Sequence, residues 1–310
     1  MAPKPGVEAG HFETIPYTPH KKIRTMKTLV RGLIALLLLL AAGAPAAAAE
    51  APLSEEFARH LEALKPTVPE GFTVVVEDPF IVIGDGSPDQ VKLASERIVR
   101  WAVRLLKLDY FEKPPPAIYD IWLFNGKESY EKNTQAIFHE KPLSPFGYCS
   151  PARRALIMNI ATGGGTLVHE MVHAFVASNF PECPTWFNEG LASLYEQSGE
   201  VGGHIHGFTN WRLPVLQEMI RDGKLRSFEQ LTALAATDFY GDKAAAYSQS
   251  RYLCYYLQEK GLLVKFYREF HANVRSDPTG YQTLKKVLGE EDMDAFKTKW
   301  EAEMLKLTFP

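Results

Sequence analysis

Cysteine is scarce in this chain. Its three thiols, Cys149, Cys183 and Cys254, stand far apart and form no Cys-x-x-Cys pair. The sequence therefore proposes neither a thiolate zinc site nor a dense disulfide framework. One bridge, Cys149 with Cys183, is one expectation, and three unpaired buried thiols are the other. Excess positive charge is also missing. After residue 49 the chain carries 28 basic against 35 acidic side chains, a net charge of −7. Nucleic acid is excluded as a partner on that ground, because phosphate binding needs a basic surface. No internal repeat is present, and the only low-complexity tract is the alanines near residue 45, so a solenoid or propeller is excluded as well.

What is there begins with a leader. Lys27 and Arg31 precede an apolar stretch over 33–42, and Ala47-Ala48-Ala49 supplies small residues at the spacing a signal peptidase accepts. The expectation is an export signal over 1–49, cleaved after Ala49, and a periplasmic or extracellular protein. The alternative is an uncleaved membrane anchor, since 32–49 approaches the length of a spanning helix, about 20 residues. Pro45 and the alanine-rich end favour cleavage.

Beyond the leader, strands come early and helices late. Helical spacing over 54–64 is followed by short β-branched or aromatic runs over 73–76 and 80–83. Val91, Ala94, Ile98, Trp101, Ala102 and Leu105 recur at three and four, predicting an amphipathic helix over 89–107. Further strands are expected over 118–124 and 155–160, with a polar helix near 127–134 and a proline-punctuated loop between. After Gly163-Gly164-Gly165, helical periodicity takes over at 166–178, 186–197, 211–221, 243–260, 264–273 and 294–306. This segregation argues for an α+β architecture: an α/β lobe over 50–182, with an N-terminal sheet and helices, then a mostly helical lobe over 183–310.

The chemistry is concentrated at His169-Glu170-Met171-Val172-His173. On a helix, residues four apart are separated by about 40° around the axis and about 6 Å along it, so both imidazoles point the same way and can share one ion. Glu170 lies beside that face, placed to take a proton from a water at the metal as general base. A chance match is expected in about two of a hundred chains of this composition, so two exposed histidines on a surface helix remain the alternative for these five residues alone. A hydrolytic site needs a third protein ligand and one open position. Glu189, in Trp186-Phe187-Asn188-Glu189-Gly190-Leu191-Ala192 on the next predicted helix, can be that ligand.

Together the two motifs resemble those of the gluzincin zinc metallopeptidases, which pair His-Glu-x-x-His with an Asn-Glu-Gly segment on the following helix. The likeness is closer to the bacterial peptidase-MA-like group and more distant to the zinc aminopeptidases and thermolysin. It spans roughly residues 117–260. The resemblance implies a zincin-like, thermolysin-type core and one zinc ion held by His169, His173 and Glu189, with Glu170 as base and later proton donor. It implies a peptide or protein substrate, bound along 155–160 as a sheet-edge strand. It also implies Tyr247 as the donor to the oxyanion, with an ordinary helix tyrosine as the alternative because Tyr252, Tyr255 and Tyr256 crowd the same predicted helix. Ser193, one turn after Glu189, is implied as the group that steadies a ligand histidine, with a neutral helix residue as the equal alternative.

Departures from the resembled families are informative too. A third histidine ligand is ruled out because Val176 and Asn179 occupy the positions it would need. The aminopeptidases' edge-strand glutamate has no counterpart in Ala155-Leu156-Ile157-Met158-Asn159-Ile160, which argues against amino-terminal specificity. His204 and His206, in a glycine-rich segment, read as a solvated loop, with contact to substrate as the alternative; His139 reads as a loop residue, and His60 and His271 have no partner visible in the sequence. The rivals to a peptidase are a zinc-binding, non-hydrolytic module that recognises peptides or the cell envelope, and a gluzincin hydrolase with a non-peptide substrate.

Overall fold

The computed structural model describes residues 54–142 and 144–309. The expected export signal lies outside them. Among the described residues no helix is long and apolar enough to cross a membrane.

The first half alternates strands and helices: α1 (Glu55–Leu64), β1 (Thr73–Glu77), β2 (Phe80–Gly84), α2 (Pro88–Ala94), α3 (Trp101–Asp109), β3 (Tyr119–Phe124), α4 (Lys127–Asn133), β4 (Gly147–Ser150) and β5 (Ala155–Asn159). The helix α5 (Gly165–Asn179) follows, then α6 (Thr185–Leu194) and a hairpin of β6 (Ser198–Val201) and β7 (His204–Gly207). The chain ends in α7 (Leu213–Arg221), α8 (Phe228–Thr232), α9 (Ala236–Gly241), α10 (Lys243–Glu259), α11 (Leu263–Asn273), α12 (Tyr281–Leu288) and α13 (Met293–Met304). The architecture is mixed α/β, built on one five-stranded sheet.

Sheet order is β1-β2-β3-β5-β4. The inner strands β2, β3 and β5 run parallel, with Val82 opposite Ile121 and Ile121 opposite Leu156, while β1 and β4 are antiparallel to their neighbours. The apolar runs of the inner strands have this physical reason: both faces of a parallel sheet are covered. On one face Phe80, Val82, Ile121, Leu123, Leu156 and Met158 meet α2, α3 and α5 in the larger core. On the other face Ile81, Ile83, Trp122, Phe124 and Ile157 meet Leu64, Tyr130 and Phe138. Alternate residues on a strand point to opposite faces, so one short sequence serves both cores.

The helix predicted over 89–107 starts where Ser87 and Gln90 form a reciprocal cap and Pro88 takes the first position, and it runs through a π-helical stretch (Ser95–Arg100) into α3. The described residues belong to one compact unit, and the larger core draws on both sides of residue 182, from Leu167 and Phe175 to Phe266 and Trp300.

One expectation is overturned here. β5 is not a sheet edge, because it pairs with β3 on one side and β4 on the other. The edge beside α5 is β4, four residues that follow the prolines at 142 and 145 in sequence. The helix expected over 186–197 is also shorter, ending at Leu194 so that 195–197 can enter the hairpin.

Candidate metal centre

Two helices bring the three candidate ligands together. α5 is apolar over most of its surface, and Leu167, Val168, Met171, Val172 and Phe175 bury it beneath the sheet. His169 and His173 share its remaining face. α6 follows after the turn at 180–184 and packs against both α5 and α10. Gly190 makes the approach to α10 possible, since a Cβ there would sit 3.0 Å from both the Cys254 Sγ and the Ser250 carbonyl oxygen. Glu189, one residue earlier, is thereby held in the core, 5% exposed.

The donor atoms form a near-regular triangle. His169 Nε2 lies 3.0 Å from His173 Nε2, and Glu189 Oε2 lies 3.4 and 3.5 Å from those two nitrogens. Three ligands bound to one ion at about 2.0–2.1 Å with tetrahedral angles are separated by about 3.3–3.4 Å. The three atoms therefore already stand at the spacing a tetrahedral ion requires. His169, His173 and Glu189 could hold a metal ion.

Protonation leads to the same conclusion. The Nδ1 of His173 lies 2.8 Å from the Asn188 Oδ1, and the Nδ1 of His169 faces the Glu196 Oε1 at 3.4 Å. The first is a hydrogen bond; the second is a charge contact too poorly aligned to be one, as Nδ1 of His169 has no hydrogen-bond partner. Both Nδ1 atoms thus face acceptors, which places their protons there and turns both Nε2 lone pairs toward each other. Glu189 Oε2 joins them, buried and without a hydrogen-bond partner. Three acceptors facing one another demand a positive charge between them.

The titration shifts express this demand. Burial opposes the charge on His169, but Glu189 and Glu196 outweigh it and raise its pKa to about 10. Burial would raise the Glu189 carboxyl, yet the two histidines hold it far below the ordinary range. Glu196 is likewise opposed by burial and lowered to about 2 by His169 and Arg212. A proton supplies the missing charge in the metal-free chain, and a divalent ion bound by all three atoms supplies more.

The chain matches no model of a known protein family, and no curated protein is significantly similar to it. What can be said of the site rests on its own geometry.

That geometry corrects several expectations about the surrounding residues. Ser193 does not steady a histidine: its hydroxyl is fully buried and has no hydrogen-bond partner among the described residues. Glu196 occupies that place instead, gripped by Arg212 through Nε at 2.9 Å and Nη2 at 2.6 Å and by Asn210 Nδ2 at 3.2 Å. The hairpin makes this possible by returning the chain from 197 to 208–212, beside the turn it left. Gly165 admits the same turn to α5, since a Cβ there would overlap the Glu196 carbonyl oxygen.

Tyr247 lies near the site, in the field of Glu189, with the Arg212 guanidinium 4.9 Å above its ring. The short hydrogen bond to this carboxylate, however, comes from Tyr240, whose hydroxyl donates to Glu189 Oε1 at 2.7 Å. Tyr240 was not singled out from the sequence, because only the packing of α9 against α6 carries it to Glu189.

Glu170 makes no hydrogen bond or ion pair among the described residues and is partly exposed on α5. Cys149 and Cys183 are not bridged; all three thiols are free. Burial, then the charge of Glu170, pushes the Cys149 thiol up to about 12, and β4 packs beside α5. His204 and His206 are not in a solvated loop. They belong to β7, where His204 Nδ1 meets Asp109 Oδ1 at 2.5 Å and His206 Nε2 meets Glu259 Oε1 at 3.2 Å. His60 has a partner as well, Asp120 at 2.8 Å, which ties α1 to the sheet. Asn179, at the end of α5, accepts the N–H groups of Glu112 and Lys113.

Proposed function

We propose that this chain is an exported zinc metallopeptidase with a zincin-like core of the gluzincin type. The observation that carries the reading is the triangle of buried acceptors, with an unengaged carboxylate, Glu170, one residue after the first ligand. Two imidazoles and one carboxylate form the donor set of hydrolytic zinc sites, which keep a fourth position open, whereas structural sites close it with a protein ligand. When bound, zinc would act as a Lewis acid and lower the pKa of a water at that position towards about 7.

The protein residues do the rest. Asn188 and Glu196 orient the imidazoles, and the charge of Glu196 makes His169 a stronger donor. Glu170 takes the proton of the attacking water and passes it to the leaving amine. Tyr247 and Tyr240, both beside Glu189, provide hydroxyls as candidates to stabilise the oxyanion.

A peptide substrate is favoured by the edge of β4. Asn159 N–H donates to the Phe146 carbonyl at 3.0 Å. Antiparallel pairing alternates, so Tyr148 and Ser150 direct their backbone groups inward to β5, and Gly147 and Cys149 direct theirs outward. An extended peptide can add to this edge through backbone bonds alone, which makes side-chain selectivity loose.

Glu170→Gln tests the mechanism. Zinc should remain stoichiometric by elemental analysis, while cleavage of an unbiased peptide library falls about 10²–10⁴-fold. Equal cleavage by both forms would remove Glu170 from the chemistry, and a metal-loaded protein that cleaves no peptide would favour the non-hydrolytic or non-peptide alternatives.

A further inference from the structure

Glu189 is held by two different kinds of contact, one at each oxygen. Oε2 has no hydrogen-bond partner and faces the two imidazoles. Oε1 accepts the Tyr240 hydroxyl at 2.7 Å. An ionised carboxylate offers lone pairs on both oxygens, and when both are free it can bind one cation through both. With two histidines already in place, such binding would give the metal four protein donor atoms, so that a water or other small ligand could join only as a crowded fifth.

We propose that Tyr240 is a positioning residue that fixes Glu189 as a one-oxygen ligand and so keeps a coordination position open. The inference rests on the metal reading of the triangle and concerns how that ion is held. To chelate, Glu189 would have to surrender a charge-assisted hydrogen bond in a site where it is only 5% exposed.

The placement of Tyr240 suits this task. α9 is anchored by Phe239, which is fully buried, while Tyr240 beside it is 44% exposed and reaches Glu189 with its hydroxyl. Its ring stands 6.4 Å from that of Tyr247. Tyr247 is held differently, beneath the guanidinium that also grips Glu196. Burial, then the adjacent Glu189 carboxylate, raises the Tyr247 pKa, so its hydroxyl also borders Glu189; the 2.7 Å hydrogen bond is that of Tyr240, and replacing each tyrosine in turn separates the two.

The test uses the full chain stripped of metal and reloaded with one equivalent of Co2+, whose visible absorption weakens severalfold when four-coordinate geometry becomes five-coordinate. Wild type should give the strong four-coordinate spectrum and bind azide at the open position. Tyr240→Phe should lose severalfold in absorbance and bind azide at least about tenfold more weakly, because Glu189 now competes for that position. Tyr247→Phe should keep the wild-type spectrum even if turnover falls. A Tyr240→Phe protein with unchanged spectrum and azide affinity overturns the proposal. Failure of wild type to take up cobalt overturns it together with the metal reading. A spectral change in a protein that cleaves no peptide upholds the role of Tyr240 and removes only the peptidase assignment.

Discussion

The three atoms that face the metal position come from two consecutive helices, whereas the groups that hold them come from stretches scattered over some fifty residues. His169, His173 and Glu189 lie on α5 and α6. Asn188 is on α6, Glu196 in the turn after it, Arg212 beyond the hairpin and Tyr240 on α9. Convergence of the trio needs only helical periodicity and one turn. Orientation needs the hairpin to close, α10 to pack on α6 through Gly190, and a turn to pass within contact of Gly165. Gathering three donor atoms and holding them still are separate achievements of the fold, written in different parts of the chain.

The sharpest way to break this comparison is to remove one member of each group. His173→Ala should abolish stoichiometric metal binding, while Glu196→Gln should weaken it only about 10–100-fold, measured by competition with a chelator of known affinity. Equal losses would mean that Glu196 is itself a ligand; no loss would mean that His169 needs no support.

Proton linkage gives an intermediate effect. In the metal-free chain the pKa of His169 is raised from 6.5 to about 10, so its contribution to stability is complete below pH 6.5 and is lost as pH climbs toward 10. Glu189 and Glu196 are shifted the other way, so theirs is present above about 4.5 and lost in acid, for Glu196 as pH falls through about 2. Metal binding must displace the His169 proton. Uptake near pH 7.5 should therefore release about one proton per ion, and metal affinity should rise with pH up to about 10. Measurement in weakly buffered solution checks the release, and metal-free melting that improves between pH 7 and 10 would contradict the linkage.

The smallest effect is expected on the outer side of the hairpin. Arg104 and Glu200 form a 2.6 Å pair in which both side chains are more than a third exposed. Arg104→Ala should cost less than about 1 kcal/mol in chemical denaturation and leave metal affinity unchanged. A change in affinity would show that the hairpin acts on the site through its solvent face as well as through Arg212.

Most of the regular structure was legible because its signals are local. The periodicity at 91–105 and the apolar runs at 80–83 and 118–124 reflect which faces are buried, and the ligands were legible because four residues on a helix make a little over one turn. β4 was not, since four residues behind prolines carry no pattern that distinguishes an edge strand from a loop. The misplacement of the edge onto 155–160 follows directly. Glu196 and Tyr240 were missed for a related reason: nothing around them differs from an ordinary helix end or a surface tyrosine. Ser193 had the right spacing along α6 but is buried among groups that give its hydroxyl no partner.

By itself, the sequence determined which side chains point the same way along each helix, hence the pairing of His169 with His173 and the candidacy of Glu189. Only the tertiary structure decided which oxygen of Glu189 meets the imidazoles, which tyrosine holds the other oxygen, and which strand lies open beside Glu170. Periodicity is a property of neighbouring residues and survives in a string of letters. Hydrogen bonds between residues 51 apart, such as Tyr240 to Glu189, depend on how the whole core packs, and no local pattern records that.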